Sequence, residues 1–361
     1  MVEDGVGAIG AIGGELLERF ETLRPNRLVD FTGQASATGQ LGIILSSALS
    51  RREMPDHMLL SGPPGCGKTT LAAIIANELG LPMLTTSGPA IGRASDLAAL
   101  LASIGEPSVI FIDEIHALPR SAVELLYPVM EDGVLDIVTP RDGVSGEVGS
   151  VNVIRLPLPA LIIVGATTIA GSLPAPLLDR FGHQVRVHLY DDLALAGIVS
   201  HSAKLMGVAL DSAGGAMIAS RSRGTPRVAN ALLRRVRDFA QASALVATGA
   251  HEYEEIGANE ASRALDAFGV DKLGLDVVAL SVLRALCNSF SGGPVGLTTL
   301  ASAVGEAPIT IESVYEPYLM RAGLISRTPR GRVATAACYE HLGIVAPVNV
   351  VGMVDGTELL F

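Results

Sequence analysis

Between residues 58 and 188 the hydrophobic positions fall into two alternating kinds of run. Apolar blocks at 58–61, 82–86, 108–113 and 160–166, most of them rich in Val, Ile and Leu, read as strands buried on both faces. The longer segments between them, 68–79, 95–103 and 120–131, carry apolar residues at helical spacing. This alternation predicts an α/β fold, with a parallel sheet covered by helices on both sides. A further helix is expected from about 35 to 51. Residues 133–139 and 151–155 alternate apolar and polar positions around a Gly-rich tip, which predicts a projecting hairpin over 133–156 suited to a partner surface.

Beyond 188 the pattern changes. Residues 189–268 read as a small helical lid domain following the sheet domain at 23–188. From 269 to 345 the expected elements are helices over 276–289, 296–303 and 309–317, then a strand–turn–strand around 323–335. Helices followed by a two-stranded wing describe a winged helix. The ends, 1–22 and 346–361, read as a low-complexity leader and a tail.

Composition narrows the function classes. A chain of 361 residues has room for two or three domains. Its net charge of −11 argues against general adhesion to nucleic acid, so any DNA contact must come from a local basic patch. The three cysteines, Cys66, Cys287 and Cys338, lack metal-ligand spacing, and their odd number argues against a disulfide framework. With an acidic opening, Met1-Val2-Glu3-Asp4, a reduced cytosolic protein is expected. The uncharged stretch 156–178 is interrupted by four prolines, so it reads as a strand with flanking turns and not as a membrane helix.

Gly62-Pro63-Pro64-Gly65-Cys66-Gly67-Lys68-Thr69 fits G-x-x-x-x-G-K-[ST] between an expected strand and an expected helix. Gly65 and Gly67 let backbone N–H groups close around a phosphate. Lys68 supplies a point charge, Thr69 a hydroxyl ligand for Mg²⁺, and Thr70 continues the helix start. An incidental Gly/Pro turn would lack that strand–helix context. The strand at 108–113 ends in Asp113 and Glu114, where two carboxylates need a cation or a reaction to justify them. Asp113 is read as the holder of Mg²⁺ through its water shell, and Glu114 as the group that polarises an attacking water. Thr168, at the end of the last expected strand, is either ordinary turn chemistry or a hydroxyl that senses a terminal phosphate or orients the water.

Three groups of arginines have both bland and specific readings. Arg180 sits in a turn, as a surface charge or as a finger supplied to a neighbouring subunit's nucleotide. Arg227 follows a Gly-Thr-Pro turn and can point toward the nucleotide. Most of the other arginines between 221 and 237 suit a solvated helix face or an intersubunit salt-bridge surface. Arg327, Arg330 and Arg332 lie at the wing turn, either for solubility or as a compact patch gripping DNA phosphates without reading bases.

On these stretches, and on Leu23-Arg24-Pro25, Thr86-Ser87-Gly88-Pro89, Leu126-Tyr127-Pro128, Met130-Glu131-Asp132, Gly292-Gly293-Pro294 and Val314-Tyr315-Glu316-Pro317, the chain resembles the RuvB family of AAA+ motors over 23–343. The resemblance implies a cytoplasmic homohexameric ring around duplex DNA. Such a ring hydrolyses ATP with Mg²⁺ between subunits to drive Holliday-junction branch migration in recombination and repair, together with RuvA and the RuvC resolvase. It gives Lys68, Thr69, Asp113 and Glu114 the roles above, makes Thr168 the first sensor, Arg180 the trans-acting finger and Arg227 the second sensor. It also sets Leu23, Arg24, Pro25 and Tyr190 beside the adenine, the hairpin against RuvA, and the wing arginines on the DNA backbone. Departures from the family pattern are Ile169, Leu178, a longer hairpin tip, and Cys66, whose modification is expected to block nucleotide binding. Two other classes share some of these features: another AAA+ DNA machine such as a clamp loader or initiator, and a winged-helix regulator with an ATPase switch.

Overall fold

The computed structural model describes residues 23–140, 151–249 and 253–346. The expected leader, the tip of the hairpin and most of the expected tail lie outside these residues. The chain divides into two compact units, one running to Ala209 and including Gly224–Asn230, the other comprising Leu210–Arg223 and the residues from Ala231 onward.

The first unit holds seven strands among its described residues: β1 (Met58–Ser61), β2 (Met83–Ser87), β3 (Ser108–Asp113), β4 (Val134–Pro140), β5 (Val151–Pro157), β6 (Leu161–Thr167) and β7 (His183–Arg186). Five of these form a parallel sheet in the order β2-β3-β6-β1-β7, while β4 and β5 make a separate antiparallel hairpin. Strands β1, β3 and β6 are buried almost end to end, as their continuous Val/Ile/Leu runs require. Helix Lys68–Leu79 packs on the sheet, and Leu97, Leu101, Leu126 and Val129, from helices Ala94–Ala102 and Arg120–Asp132, build the core with Ile110, Ile112 and Ile163. Ser61 pairs with Thr167, Ile112 with Gly165, and Ser87 with Asp113. That register brings the carboxyl ends of β1, β3 and β6 to one edge, where parallel sheets bind ligands.

Strand β7 was not expected. Its sequence, His-Gln-Val-Arg, has one buried position, Val185, and its edge placement beside β1 comes from pairing alone. At the opposite side of β1, His57 ties the sheet to a helix. Its Nδ1 accepts the Ile163 N–H at 3.0 Å, and its Nε2 donates to the Met130 carbonyl at 3.1 Å. An imidazole used this way is neutral, and burial pushes its pKa below 6.5, opposed by the Met130 bond and the Asp56 charge. A depressed pKa contributes stability that is whole above 6.5 and is lost as pH falls through that value toward the folded one. Urea midpoints should therefore fall between about pH 7.5 and about 5.5, and fall less in His57→Gln. Equal slopes in both proteins would remove His57 from this account.

In the second unit, helices Ser212–Ser220 and Ala258–Ala267 pack together, the first capped by Asp211, which accepts the Gly214 N–H at 2.6 Å. Arg221 and Arg223 act as staples here. Arg221 reaches Asp266, the Val270 carbonyl and Ser262, and Arg223 reaches the Gly274 carbonyl and Asp276. These two are structural, with partners inside this chain, where the expectation was a solvated helix face or an intersubunit salt-bridge surface.

The winged helix follows. Helix Val277–Arg284 runs on through Ala285–Ser289, helix Leu297–Val304 follows, and a broken helix comprises Pro308–Thr310, Ile311–Tyr315 and Glu316–Arg321. The wing is β8 (Ile325–Thr328) and β9 (Gly331–Ala334), and Val295 adds a bridge to Arg332 of β9. A closing helix, Ala336–Leu342, was not expected; its Thr335 cap and buried Cys338 and Tyr339 explain it. The Cys338 and Cys287 sulfurs are 3.4 Å apart in this core. No helix of the described residues is long and apolar enough to cross a membrane, and 156–178 holds the end of β5, then β6, and closes in a short helix, Ala175–Leu178, where only a turn was expected.

Candidate functional site

The turn from β1 into helix Lys68–Leu79 has Gly62, Gly65 and Gly67 at φ +141°, +77° and +95°. At Gly62 a Cβ would strike the Val187 carbonyl, and at Gly67 it would lie 2.8 Å from the Phe31 ring. Only glycine fits, and the turn leaves a concave backbone at a helix N-terminus, the geometry that receives a phosphate. Lys68 is 7% exposed and folds over this cradle, its Nζ donating to the carbonyls of Gly62 at 2.8 Å and Pro63 at 3.0 Å. Burial pushes the Lys68 pKa down while Glu114 pulls it up. Thr69 and Thr70 are half-buried in the first helical turn. Cys66 is fully buried, so the folded cradle itself shields the thiol that the sequence marks as a liability.

Asp113 ends β3 and accepts the Glu114 N–H at 3.0 Å with Oδ1. Glu114 has φ +47° and ψ +47°, a left-handed conformation that a non-glycine residue adopts at a cost of order 1–3 kcal/mol. A Cβ on Gly88 would strike the Glu114 carbonyl, so the bend needs glycine beside it. The bend turns the Glu114 carboxylate toward the end of β6. There the Thr168 hydroxyl donates to its Oε2 at 3.3 Å, and His116 Nδ1 lies 3.2 Å from the same oxygen. His116 Nδ1 is also 3.0 Å from the Thr167 hydroxyl. His116 and Thr167 join the site by packing and were missed as functional groups, although His116 stands two residues after Glu114 and Thr167 directly before Thr168.

The donor set suits Mg²⁺. It offers a Thr69 hydroxyl and the Asp113 carboxylate, all oxygen, and the described residues contain no cluster of three or more His, Cys, Asp or Glu side chains able to cage a metal. A Mg²⁺ ion that keeps most of its waters and takes one or two protein oxygens plus phosphates matches that set.

Tyr190 is buried, and its ring occupies the space a Cβ on Gly33 would need, at 2.5 Å. Its hydroxyl lies 3.9 Å from a Cβ built at Gly67, and Phe31 closes the same corner. Gln34 holds the neighbouring strand end through both its amide atoms, to His188 O at 2.6 Å and His188 N at 3.0 Å. Phe31 and Gln34 were not read from the sequence, because nothing local distinguishes them. Leu23 is half-buried and Arg24 exposed. Arg227, at the start of helix Pro226–Thr248, sits against the cradle: its Cβ is 3.1 Å from a Cβ built at Gly65, and its N–H faces the Gly65 carbonyl at 3.5 Å.

Arg180 lies elsewhere. Its Nη2 meets Glu131 Oε1 at 2.7 Å, Nη1 donates to the Pro176 carbonyl at 2.6 Å, and the guanidinium stacks 4.4 Å above the Tyr127 ring. None of these partners belongs to the phosphate cradle.

On the wing, Arg327 and Arg332 face each other across the hairpin. Like charges so placed repel. Glu312 sits 3.2 Å from Arg327 and 3.7 Å from Arg332, and Glu316 takes Arg332 through two bonds of 2.8 and 3.0 Å. Arg332 is 8% exposed and Glu316 2%. The expectation that all three arginines form an open phosphate patch is corrected here: Arg332 is a buried structural partner, leaving Arg327 half-engaged and Arg330 exposed at the turn.

A five-stranded parallel sheet with this cradle, an Asp-Glu strand end, a threonine beside it at the next strand end and a following helical segment and winged helix defines an AAA+ P-loop ATPase. Family models match along nearly the whole chain: the Holliday junction DNA helicase RuvB P-loop domain over 23–187, the RuvB AAA lid domain over 190–271 and the RuvB C-terminal winged helix domain over 272–343. The chain belongs to the RuvB family. A Holliday junction branch migration complex subunit RuvB from Saccharopolyspora erythraea is 50% identical over 340 residues, covering 94% of this chain and 92% of the relative. Its counterpart from Parafrankia sp. is 47% identical over 359 residues, covering 99% and 98%. Among solved structures, the Thermotoga maritima RuvB Holliday junction branch migration motor superposes with a TM-score of 0.75 at 38% identity, covering 90% of this chain and 99% of that one.

Proposed function

We propose that this chain is the ATP-driven motor of Holliday-junction branch migration, a homohexameric ring that pumps duplex DNA in the cytoplasm with RuvA and, downstream, RuvC. The observation that carries the ring is Arg180. A P-loop site gains its transition-state stabilisation from an arginine, and this one is anchored among residues outside its own cradle. A neighbouring subunit's nucleotide is its natural target.

In this reading Lys68 leaves the Gly62 and Pro63 carbonyls to meet the phosphates, and Arg227 adds charge from beside Gly65. Thr69 and Asp113 hold Mg²⁺, which when bound neutralises charge on the transferred group. Glu114 orients the attacking water, with Thr168 reporting whether the terminal phosphate is present. Leu23, Arg24, Phe31 and Tyr190 form the base pocket. Opening and closing of the subunit seam moves the winged helix, which holds DNA phosphates through Arg327 and Arg330. The hairpin of β4 and β5, which exposes Ile154, is the RuvA docking element.

The deciding experiment is migration of a synthetic four-way junction by purified protein with RuvA and ATP. Branch migration dependent on both supports the motor. Binding to one preferred sequence without junction movement would favour a regulator instead. For the wing, Arg330→Ala should weaken DNA binding evenly across sequences and lower the salt slope by about 1. Glu312→Gln should tighten it by releasing Arg327. Fluorescence anisotropy at several salt concentrations measures both, and a sequence-dependent loss would contradict a backbone grip.

A further inference from the structure

We propose that Glu131 and Tyr127 are positioning residues for Arg180, holding its guanidinium within its own subunit in the orientation in which it meets a neighbour's nucleotide. This rests on the reading of Arg180 as a trans-acting group. Three contacts fix the side chain from three directions: the Glu131 carboxylate on Nη2, the Pro176 carbonyl on Nη1, and the Tyr127 ring beneath the plane. A surface arginine with one carboxylate partner would keep most of its rotamers. Arg180 does not. Its side chain is 21% exposed, against 56% for Glu131.

The fork is also not saturated. A guanidinium has five N–H donors, and Nε is buried without a partner. Nη1 and Nη2 each carry two N–H groups and give one apiece to the Pro176 carbonyl and the Glu131 carboxylate, so donors remain on the fork for an arriving acceptor. The seat itself is rigid. Tyr127 and Glu131 are one turn apart on helix Arg120–Asp132, whose Leu126 and Val129 are core residues. Pro176 lies in the short helix Ala175–Leu178, just before Arg180. Preorientation removes the ordering cost that a free arginine would meet as the seam closes, so it acts on turnover and not on nucleotide affinity.

Glu131→Ala should lower kcat about tenfold, equal to about 1.4 kcal/mol, with KM for ATP within about twofold of the parent. Glu131→Gln, which keeps an oxygen acceptor, should recover part of the loss, and it carries the test if Glu131→Ala does not fold. The decisive readout is a mixed ring. Glu131→Ala subunits combined with Glu114→Gln subunits should regain turnover, because intact Arg180 seats then serve intact Glu114 sites. An Arg180→Ala and Glu114→Gln mixture is run alongside. Recovery in both supports the proposal. Recovery only in the Arg180 mixture, or an unimpaired Glu131→Ala ring, overturns it and leaves the trans reading standing. Recovery in neither removes the trans reading, and the positioning role falls with it.

Discussion

Glu114→Gln protein should bind ATP with parental affinity and hydrolyse it about a hundred to ten thousand times more slowly, the usual contribution of a positioned general base. The substitution is nearly isosteric, so the left-handed bend at 114 and the contact from the Thr168 hydroxyl both survive. The phosphate cradle is untouched, because Lys68 and the three glycines lie on a different strand end. What disappears is a carboxylate able to take a proton from water. Titration with a fluorescent ATP analogue measures the first half, and single-turnover hydrolysis the second. A variant that turns over within a few-fold of the parent would dismiss Glu114 as the base. A variant that loses nucleotide binding instead would mean that Glu114 supports the fold of the cradle. His116 offers a finer probe of the same carboxylate, since it touches both Glu114 and Thr167.

Where the sequence was readable, the cause is local. Strands β1, β3 and β6 are buried on both faces, so their composition alone marks them. The P-loop and the Asp113-Glu114 pair are contiguous motifs, in which spacing along the chain equals placement in space. Strand β7 escaped notice because an edge strand with only Val185 buried has no apolar run to read. Phe31 and Gln34 reach the site through tertiary packing, and their neighbours in sequence carry no sign of it, while His116 follows Glu114 by two residues but owes its place to contacts with Glu114 and Thr167. Arg221 and Arg332 show the reverse limit. Each sits in an arginine-rich stretch, but the carboxylates that absorb them, Asp266 and Glu316, are 45 and 16 residues away. Charge density along a sequence does not say which charges are left over.

That distinction makes Arg332 the strongest stability test in the protein. Arg332→Ala should destabilise the winged helix by about 3–5 kcal/mol, because it strands the Glu316 carboxylate, 2% exposed, without its bidentate partner. Glu312, 3.7 Å from Arg332, cannot substitute for the lost cation, since it carries the same sign as Glu316. Replacing both partners by apolar residues, Arg332→Met with Glu316→Leu, should return most of the loss, as buried ion pairs exchanged for packed side chains often do. Arg330→Ala, at an exposed turn, should leave the unfolding midpoint within about 0.5 kcal/mol. Urea unfolding of the four proteins separates structure from grip, because DNA affinity follows Arg330 and stability follows Arg332. If Arg332→Ala unfolded at the parental midpoint while losing DNA, the pair with Glu316 would be incidental, and Arg332 would rejoin the phosphate-binding set. The physical expectation runs the other way: a cation buried against the Glu316 carboxylate, with Glu312 beside it, has little left to offer a phosphate.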